Sequence, residues 1–140
     1  MTKETPEQII ITTDRLKFDL PVITQLLSNT HWASKRSNEA IVKSIETSLS
    51  FGVFKQGTQV GFGRVITDYA TTAYLCDMVI APELRGQGIG TLLVQKILTH
   101  PDLVALKWIL RTRSAAALYA KFGFKEAEYP GRFMELYDGT

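Results

Sequence analysis

Residues Leu75 to Val94 read LCDMVIAPELRGQGIGTLLV. The apolar, β-prone run Met78-Val79-Ile80 ends at Ala81-Pro82. A turn follows, Arg85-Gly86-Gln87-Gly88-Ile89-Gly90, and an amphipathic helix begins at once with Leu92, Leu93, Ile97 and Leu98 on its apolar face. Strand, Gly-rich turn and helix start make an anion site. The first backbone N–H groups of a helix have no internal partner, and the helix dipole adds roughly half a positive charge there. Glycines let a phosphate approach the main chain without a Cβ in the way. The stretch therefore calls for a ligand carrying a phosphate or pyrophosphate.

Three Gly-rich loops compete for that reading. The P-loop needs Gly-Lys-Ser/Thr, which occurs nowhere in the chain. The dinucleotide fingerprint G-x-G-x-x-G puts Thr91 or Leu93 where its third glycine belongs. Asp102, the only acid near the required distance, stands before the next strand. The spacing that fits is Arg/Gln-x-x-Gly-x-Gly/Ala, met by Arg85, Gly88 and Gly90.

At these residues the chain resembles the GNAT superfamily of N-acetyltransferases, whose stretch here reads roughly V-x-P-x-x-R-G-x-G-[IVL]-G. Ile80 to Gly90 follows it almost position for position. A second match lies downstream: Ala115-Ala116-Ala117-Leu118-Tyr119-Ala120-Lys121-Phe122-Gly123-Phe124 is similar to the family's A-x-x-[LF]-Y-x-[KR]-x-G-F segment. Two motifs in the right order and interval make the resemblance specific. It covers residues 50 to 136; residues 1 to 50 match in layout only.

Length and composition agree with one globular domain, 1–140. Hydrophobic residues make up 45% and charged residues 21% of 140. With 16 basic and 14 acidic residues the net charge is +2, too balanced for a nucleic-acid binder. Cys76 is the single cysteine, so no internal disulfide framework exists and a reducing compartment is expected. No apolar run reaches the ~18 residues of a membrane span, and MTKETPEQII lacks a signal-peptide core. A soluble, cytoplasmic protein without membrane contact is expected.

The pattern along the chain predicts strands at Gln8–Thr13, Phe51–Lys55, Gln59–Val65, Thr72–Ile80 and Leu106–Arg111, and a closing pair at Phe124–Ala127 and Arg132–Tyr137. Helices are predicted from Asp19 to Leu27, Asn38–Ser48, Gly88–His100 and Ser114–Phe122. The order β-α-α-β-β-β-α-β-α-β-β is α/β with a mixed sheet. With the resemblance it implies a GNAT-like, mostly antiparallel sheet of six to seven strands. About four helices flank it, and it splays between the fourth and fifth strands.

The resemblance implies direct transfer of an acetyl group from acetyl-coenzyme A to a primary amine of a small molecule or peptide. It places the cofactor pyrophosphate on Gly86, Gln87, Gly88, Ile89 and Gly90, with Thr91 and the side chain of Arg85 beside them. The pantetheine arm pairs with the backbone of Met78, Val79 and Ile80, which requires that strand to leave its neighbour, helped by a bulge. Tyr119 matches the family tyrosine aimed at the thioester sulfur; it is the proposed general acid and a cofactor contact, protonated at neutral pH with a reference pKa of ~10. Asp77, an acid inside an apolar strand, is the base candidate, acting through water, with a structural carboxylate as the equal alternative. Asp68 and Glu83 read as solvated turn residues, His31 as a surface histidine and His100 as a helix C-terminal dipole partner. Cys76 has no His or Asn partner to make it a nucleophile, and the two histidines have no metal-ligand spacing, so no metal is expected.

One departure concerns the segment Arg111-Thr112-Arg113-Ser114, where many family members carry an Asn that contacts the cofactor arm. Thr112 or Ser114 stands in for that contact, and Arg111 or Arg113 for a phosphate partner. The alternative to an enzyme is a non-catalytic acyl-coenzyme A-binding regulatory or interaction module. The early loop with His31, Trp32 and Arg36 and the turn at Asp68-Tyr69 are expected to shape the acceptor site. Asp68 and Asp77 there would favour a cationic amine. A homodimer is common in the superfamily, and no residue pattern identifies its face.

Overall fold

The computed structural model describes residues 8–137. Five strands form one sheet in the order β1 (Ile9–Thr12), β2 (Leu49–Lys55), β3 (Thr58–Thr67), β4 (Thr72–Ile80), β5 (Lys107–Leu110). The first three pairings are antiparallel and the last is parallel. A parallel pair needs a long crossover, and α3 (Ile89–Leu98) supplies it between β4 and β5. α1 (Leu20–Ser28) and α2 (Asn38–Glu46) connect β1 to β2, and α4 (Ala116–Ala120) follows β5.

Local chemistry sets these boundaries. Asp19 caps α1 by accepting the Val22 N–H, with Pro21 in the first turn where its missing N–H costs nothing. Ser37 caps α2 through the Ala40 N–H. Gln56 and Gly57, both at positive φ, turn β2 into β3. Apolar residues pack on both faces of the sheet. Gly63 of β3 faces Leu93 and Ile97 of α3, where a Cβ would meet the Met78 sulfur first. Its neighbour Arg64 points the other way, to Asp77 on β4 and Ser48 after α2.

Two features shape the middle of β4. Its ladder with β5 stops at Leu75↔Leu110, so Cys76 to Ile80 run on without a β5 partner. Against β3, Cys76 pairs with Arg64 and Val79 with Phe62. Asp77 and Met78 therefore oppose Gly63 alone, a β-bulge, and Asp77 takes φ +56°. Asp is among the few non-glycine residues that tolerate that region. The expected splay and bulge are both present.

The expectation of six to seven strands is corrected to five. Phe124–Ala127 and Arg132–Tyr137 join no ladder; a single 3-10 turn at Pro130–Arg132 interrupts them. Phe133, Met134, Leu136 and Tyr137 are exposed. The β-prone composition of that segment has no packing face, and strand propensity without burial does not hold a pairing. α1 runs one residue beyond the expected Leu27, while the other three helices are shorter than expected at their ends: α2 stops at Glu46, α4 lacks the outer residues of Ser114–Phe122, and Gly88 caps α3 instead of opening it. No helix among the described residues is long and apolar enough to cross a membrane.

Candidate functional site

Where β4 leaves β5 the sheet opens into a cleft of about 660 Å3. β4 supplies Tyr74 to Met78. The α1–α2 loop supplies His31, Trp32 and Arg36. The segment after β5 supplies Arg111 to Ala115, and α4 supplies Tyr119.

The upper end of β4 runs into the Gly-rich turn. Arg85 Nε donates to the Ile80 carbonyl at 3.3 Å, folding the side chain back over the end of the strand. Gly86 and Gly88 take φ +80° and +84°, values an L side chain resists. Gly88 is the N-cap of α3 and has no side chain to cap with; the first helical bond runs from the Leu92 N–H to the Gly88 carbonyl. The N–H groups of Ile89, Gly90 and Thr91 thus point out of the helix without a helical acceptor. The strand, Gly-rich turn and helix start expected from the sequence are present, at the end of an open strand edge. The two together suit a ligand with a phosphate group and an amide-bearing arm.

Tyr119 packs edge-on against Phe124, ring centroids 5.9 Å apart, and is 7% exposed. Its hydroxyl bonds to no described residue. Burial pushes its pKa above the ordinary tyrosine value, so the phenol keeps its proton. Ser114 lines the cleft beside it, whereas the Thr112 hydroxyl accepts the Ala115 N–H and holds the turn before α4. Arg111 pairs at 2.5 Å with Glu135, both largely exposed.

Asp77 is 4% exposed at the cleft floor. One oxygen, Oδ2, accepts from Arg36 Nη1 at 2.6 Å and Arg64 Nε at 2.9 Å. Burial pushes the carboxyl up, but the Arg36 hydrogen bond and the two guanidinium charges outweigh it and hold it below the usual carboxylate range. The other oxygen, Oδ1, is buried with no partner among the described residues. Cys76 next to it is driven by burial up to about 11, so its thiol stays protonated.

Other sequence-stretch candidates lie elsewhere. Asp68 accepts the Ala70, Thr71 and Thr72 N–H groups and the Thr71 hydroxyl, closing its own exposed turn. These bonds hold its pKa far below normal. It is absent from the cleft lining, as is Glu83 in the 3-10 turn Pro82–Leu84. His100 is not a helix-dipole partner: its Nδ1 accepts the Asp102 N–H and caps the next turn. The argument for a cationic acceptor from Asp68 and Asp77 therefore fails, because Asp68 lies outside the cleft and Asp77 is already paired with two guanidiniums. His31 stacks edge-on with Trp32 at 5.2 Å on the cleft wall. No cluster of metal-ligating side chains occurs among the described residues.

Arg64 is the site residue that sequence reasoning overlooked. The signal was an arginine inside the apolar strand GFGRVI, two positions from Phe62, with an acid inside the next strand. Opposite charges buried on adjacent strands imply each other.

Comparison with known proteins agrees with this geometry. Residues 46–126 match the family described as the acetyltransferase (GNAT) domain. A solved structure from Xanthomonas campestris pv. campestris, described as belonging to the GNAT family, is 40% identical with a TM-score of 0.89, over 93% of each chain. A Gibberella zeae protein named as an acetyltransferase is 29% identical over 106 residues, 61% of this chain and 60% of its own. The chain spans three-fifths or less of the length of the curated relatives it matches. The N-acetylglutamate synthase of Neisseria gonorrhoeae, solved with coenzyme A and N-acetyl-glutamate, shares the fold at 17% identity and TM-score 0.70, over 89% of this chain and 30% of that one.

Proposed function

The chain belongs to the GNAT acetyltransferase family, and on that premise we propose that it transfers an acetyl group from acetyl-coenzyme A to a primary amine of a small molecule or peptide. The observation that carries this reading is the departure of β4 from β5 past Leu75, with the uncapped start of α3 at the strand's far end. The Neisseria synthase, alike in fold, is a coenzyme A complex.

Bound acetyl-coenzyme A supplies a thioester-activated acetyl group. The N–H groups of Gln87, Gly88, Ile89 and Gly90, with Thr91, hold its pyrophosphate, Gly86 keeps the approach open and Arg85 adds positive charge. The free edge of Met78, Val79 and Ile80 pairs with the pantetheine arm as with an added strand, and Ser114 offers a hydroxyl from the opposite wall. Holding thioester and amine together removes several kcal/mol of orientation entropy from the barrier.

Transfer forms a C–N bond and breaks the C–S bond. The nitrogen gives up one proton, and Tyr119 Oη gives one to the sulfur and regains it from solvent. Asp77, the other catalytic candidate, is assigned a positioning role. A general base works best with a pKa near the working pH, and the Asp77 carboxylate sits lower and faces two guanidiniums. It holds Arg36 and Arg64, and the amine proton passes to water in the cleft. The lone thiol of Cys76 suits a reducing compartment such as the cytoplasm.

The paired state of Asp77 is also what favours the second reading, a non-catalytic acyl-coenzyme A-binding module. One experiment separates the two: calorimetric titration with acetyl-coenzyme A, coenzyme A and NAD, then assay of free-thiol release across an amine panel. Saturable acetyl-coenzyme A binding with amine-dependent thiol release supports the transferase. Binding without release from any amine supports the module. No binding overturns both.

A further inference from the structure

Among the described residues four arginines line the cleft, Arg36, Arg64, Arg111 and Arg113, with Asp77 the one carboxylate. Arg111 leans on Glu135 outside the cleft. Arg36 and Arg64 share one Asp77 oxygen. Two guanidiniums on one carboxylate leave a full positive charge at the cleft floor. Arg64 and Asp77 side chains are 10% and 1% exposed and that of Arg36 is 30% exposed, so water screens this charge little.

Donors remain as well. Arg36 uses only Nη1 and Arg64 only Nε and Nη1 in bonds to described residues. Arg36 Nε and Nη2 and Arg64 Nη2 are left over, in the planar arrangement that fits an oxyanion. These groups do not serve the cofactor phosphates. Arg64 projects from the sheet face opposite to Gly63, and Gly63 is the residue that faces α3. The pyrophosphate cradle lies at the start of α3. The surplus charge therefore belongs to the acceptor's half of the cleft.

We propose that the acceptor is an amine that also carries an anionic group, carboxylate or phosphate, seated on Arg36 and Arg64. This inference rests on the transferase reading. The anion neutralises the surplus charge and fixes the orientation of the amine relative to the β4 edge.

The test is free-thiol release from acetyl-coenzyme A with matched acceptors: phenylalanine, phenylalaninamide, phenethylamine, O-phosphoethanolamine and spermidine. Amines that carry an anionic group are expected to exceed those that lack one in kcat/KM by about tenfold or more, the scale of one charged recognition contact. Phenylalanine and O-phosphoethanolamine distinguish carboxylate from phosphate. Arg36→Gln is expected to collapse that preference ratio, through KM more than kcat, and Arg36→Lys to restore part of it. Titrating the coenzyme A-loaded protein with phenylalanine and phenylalaninamide reads the same preference without turnover. Equal or better use of phenylalaninamide, phenethylamine or spermidine overturns the inference and leaves the transferase standing. Failure of every acceptor to release thiol, despite acetyl-coenzyme A binding, overturns the transferase reading and this inference with it.

Discussion

Arg64 Nε and Asp77 Oδ2 lie 2.9 Å apart across two strands whose register breaks at that point. The bulge that gives Asp77 φ +56° places its carboxylate against Arg64, and the same place along β4 is where pairing with β5 ends. One local irregularity thus joins the buried ion pairs to the opening of the cleft.

Removing the carboxylate leaves two guanidiniums facing each other with little water. Asp77→Asn keeps the shape and loses the charge. Breaking a buried pair of this kind costs about 3 kcal/mol. The expected outcome is a lower urea midpoint with unchanged m-value; a midpoint within error of wild type refutes the structural weight given to the pairs.

The same pairs set an acid dependence. The folded Asp77 carboxyl sits below its ordinary value, so the unfolded chain binds a proton more readily than the folded one. Its contribution is fully present above the unfolded pKa of ~3.9 and is lost as pH falls through the lower folded value. Stability curves between neutral pH and pH ~2 should therefore fall more steeply for wild type than for Asp77→Asn below that value. Parallel curves count against the assignment.

Much of this was legible in advance, and the reasons differ by element. The turn at Arg85 to Gly90 was readable because a tight strand-to-helix turn needs particular backbone freedom, and glycine is its only cheap source; Gly86 and Gly88 do adopt positive φ. The bulge was expected only from the resemblance, since nothing in LCDMV marks a register break. Arg64 and Asp77 were each visible as charges in apolar strands, but their partnership depends on a pairing register that composition does not encode. The closing strands were misread because β-prone residues such as Phe133 and Leu136 carry no information on whether a face is there to cover them.

Gly88 offers a direct test of the anion cradle. A Cβ there meets nothing within 4 Å, so only the backbone at φ +84° resists it. Gly88→Ala should lose roughly 1 kcal/mol of stability from left-handed strain. Gly88→Glu adds a carboxylate at the phosphate position and should abolish acetyl-coenzyme A binding by calorimetry. Comparable affinity in the two variants removes the pyrophosphate from this turn.

Cys76 lies beside Asp77 on the cleft wall, where a nucleophile could stand. Burial holds its thiol at about 11, and the thiolate is the reactive form. Maleimide labelling at neutral pH should be far slower than for a free thiol in solution. Cys76→Ala should retain turnover within about twofold, since no covalent step passes through it. Loss of activity without loss of acetyl-coenzyme A binding would establish a covalent route.

Tyr119 carries the proton in the proposed transfer. Its hydroxyl has no partner among the described residues, so Tyr119→Phe removes no structural bond and should leave the unfolding midpoint and acetyl-coenzyme A affinity in place. Because burial keeps the phenol protonated, the wild-type rate should stay flat through neutral pH on the acid's account. Loss of a positioned general acid costs about 100-fold, and it should appear in kcat with KM for acetyl-coenzyme A little changed. Release of the coenzyme A thiol at the wild-type rate by Tyr119→Phe would mean that water, not Tyr119, protonates the sulfur.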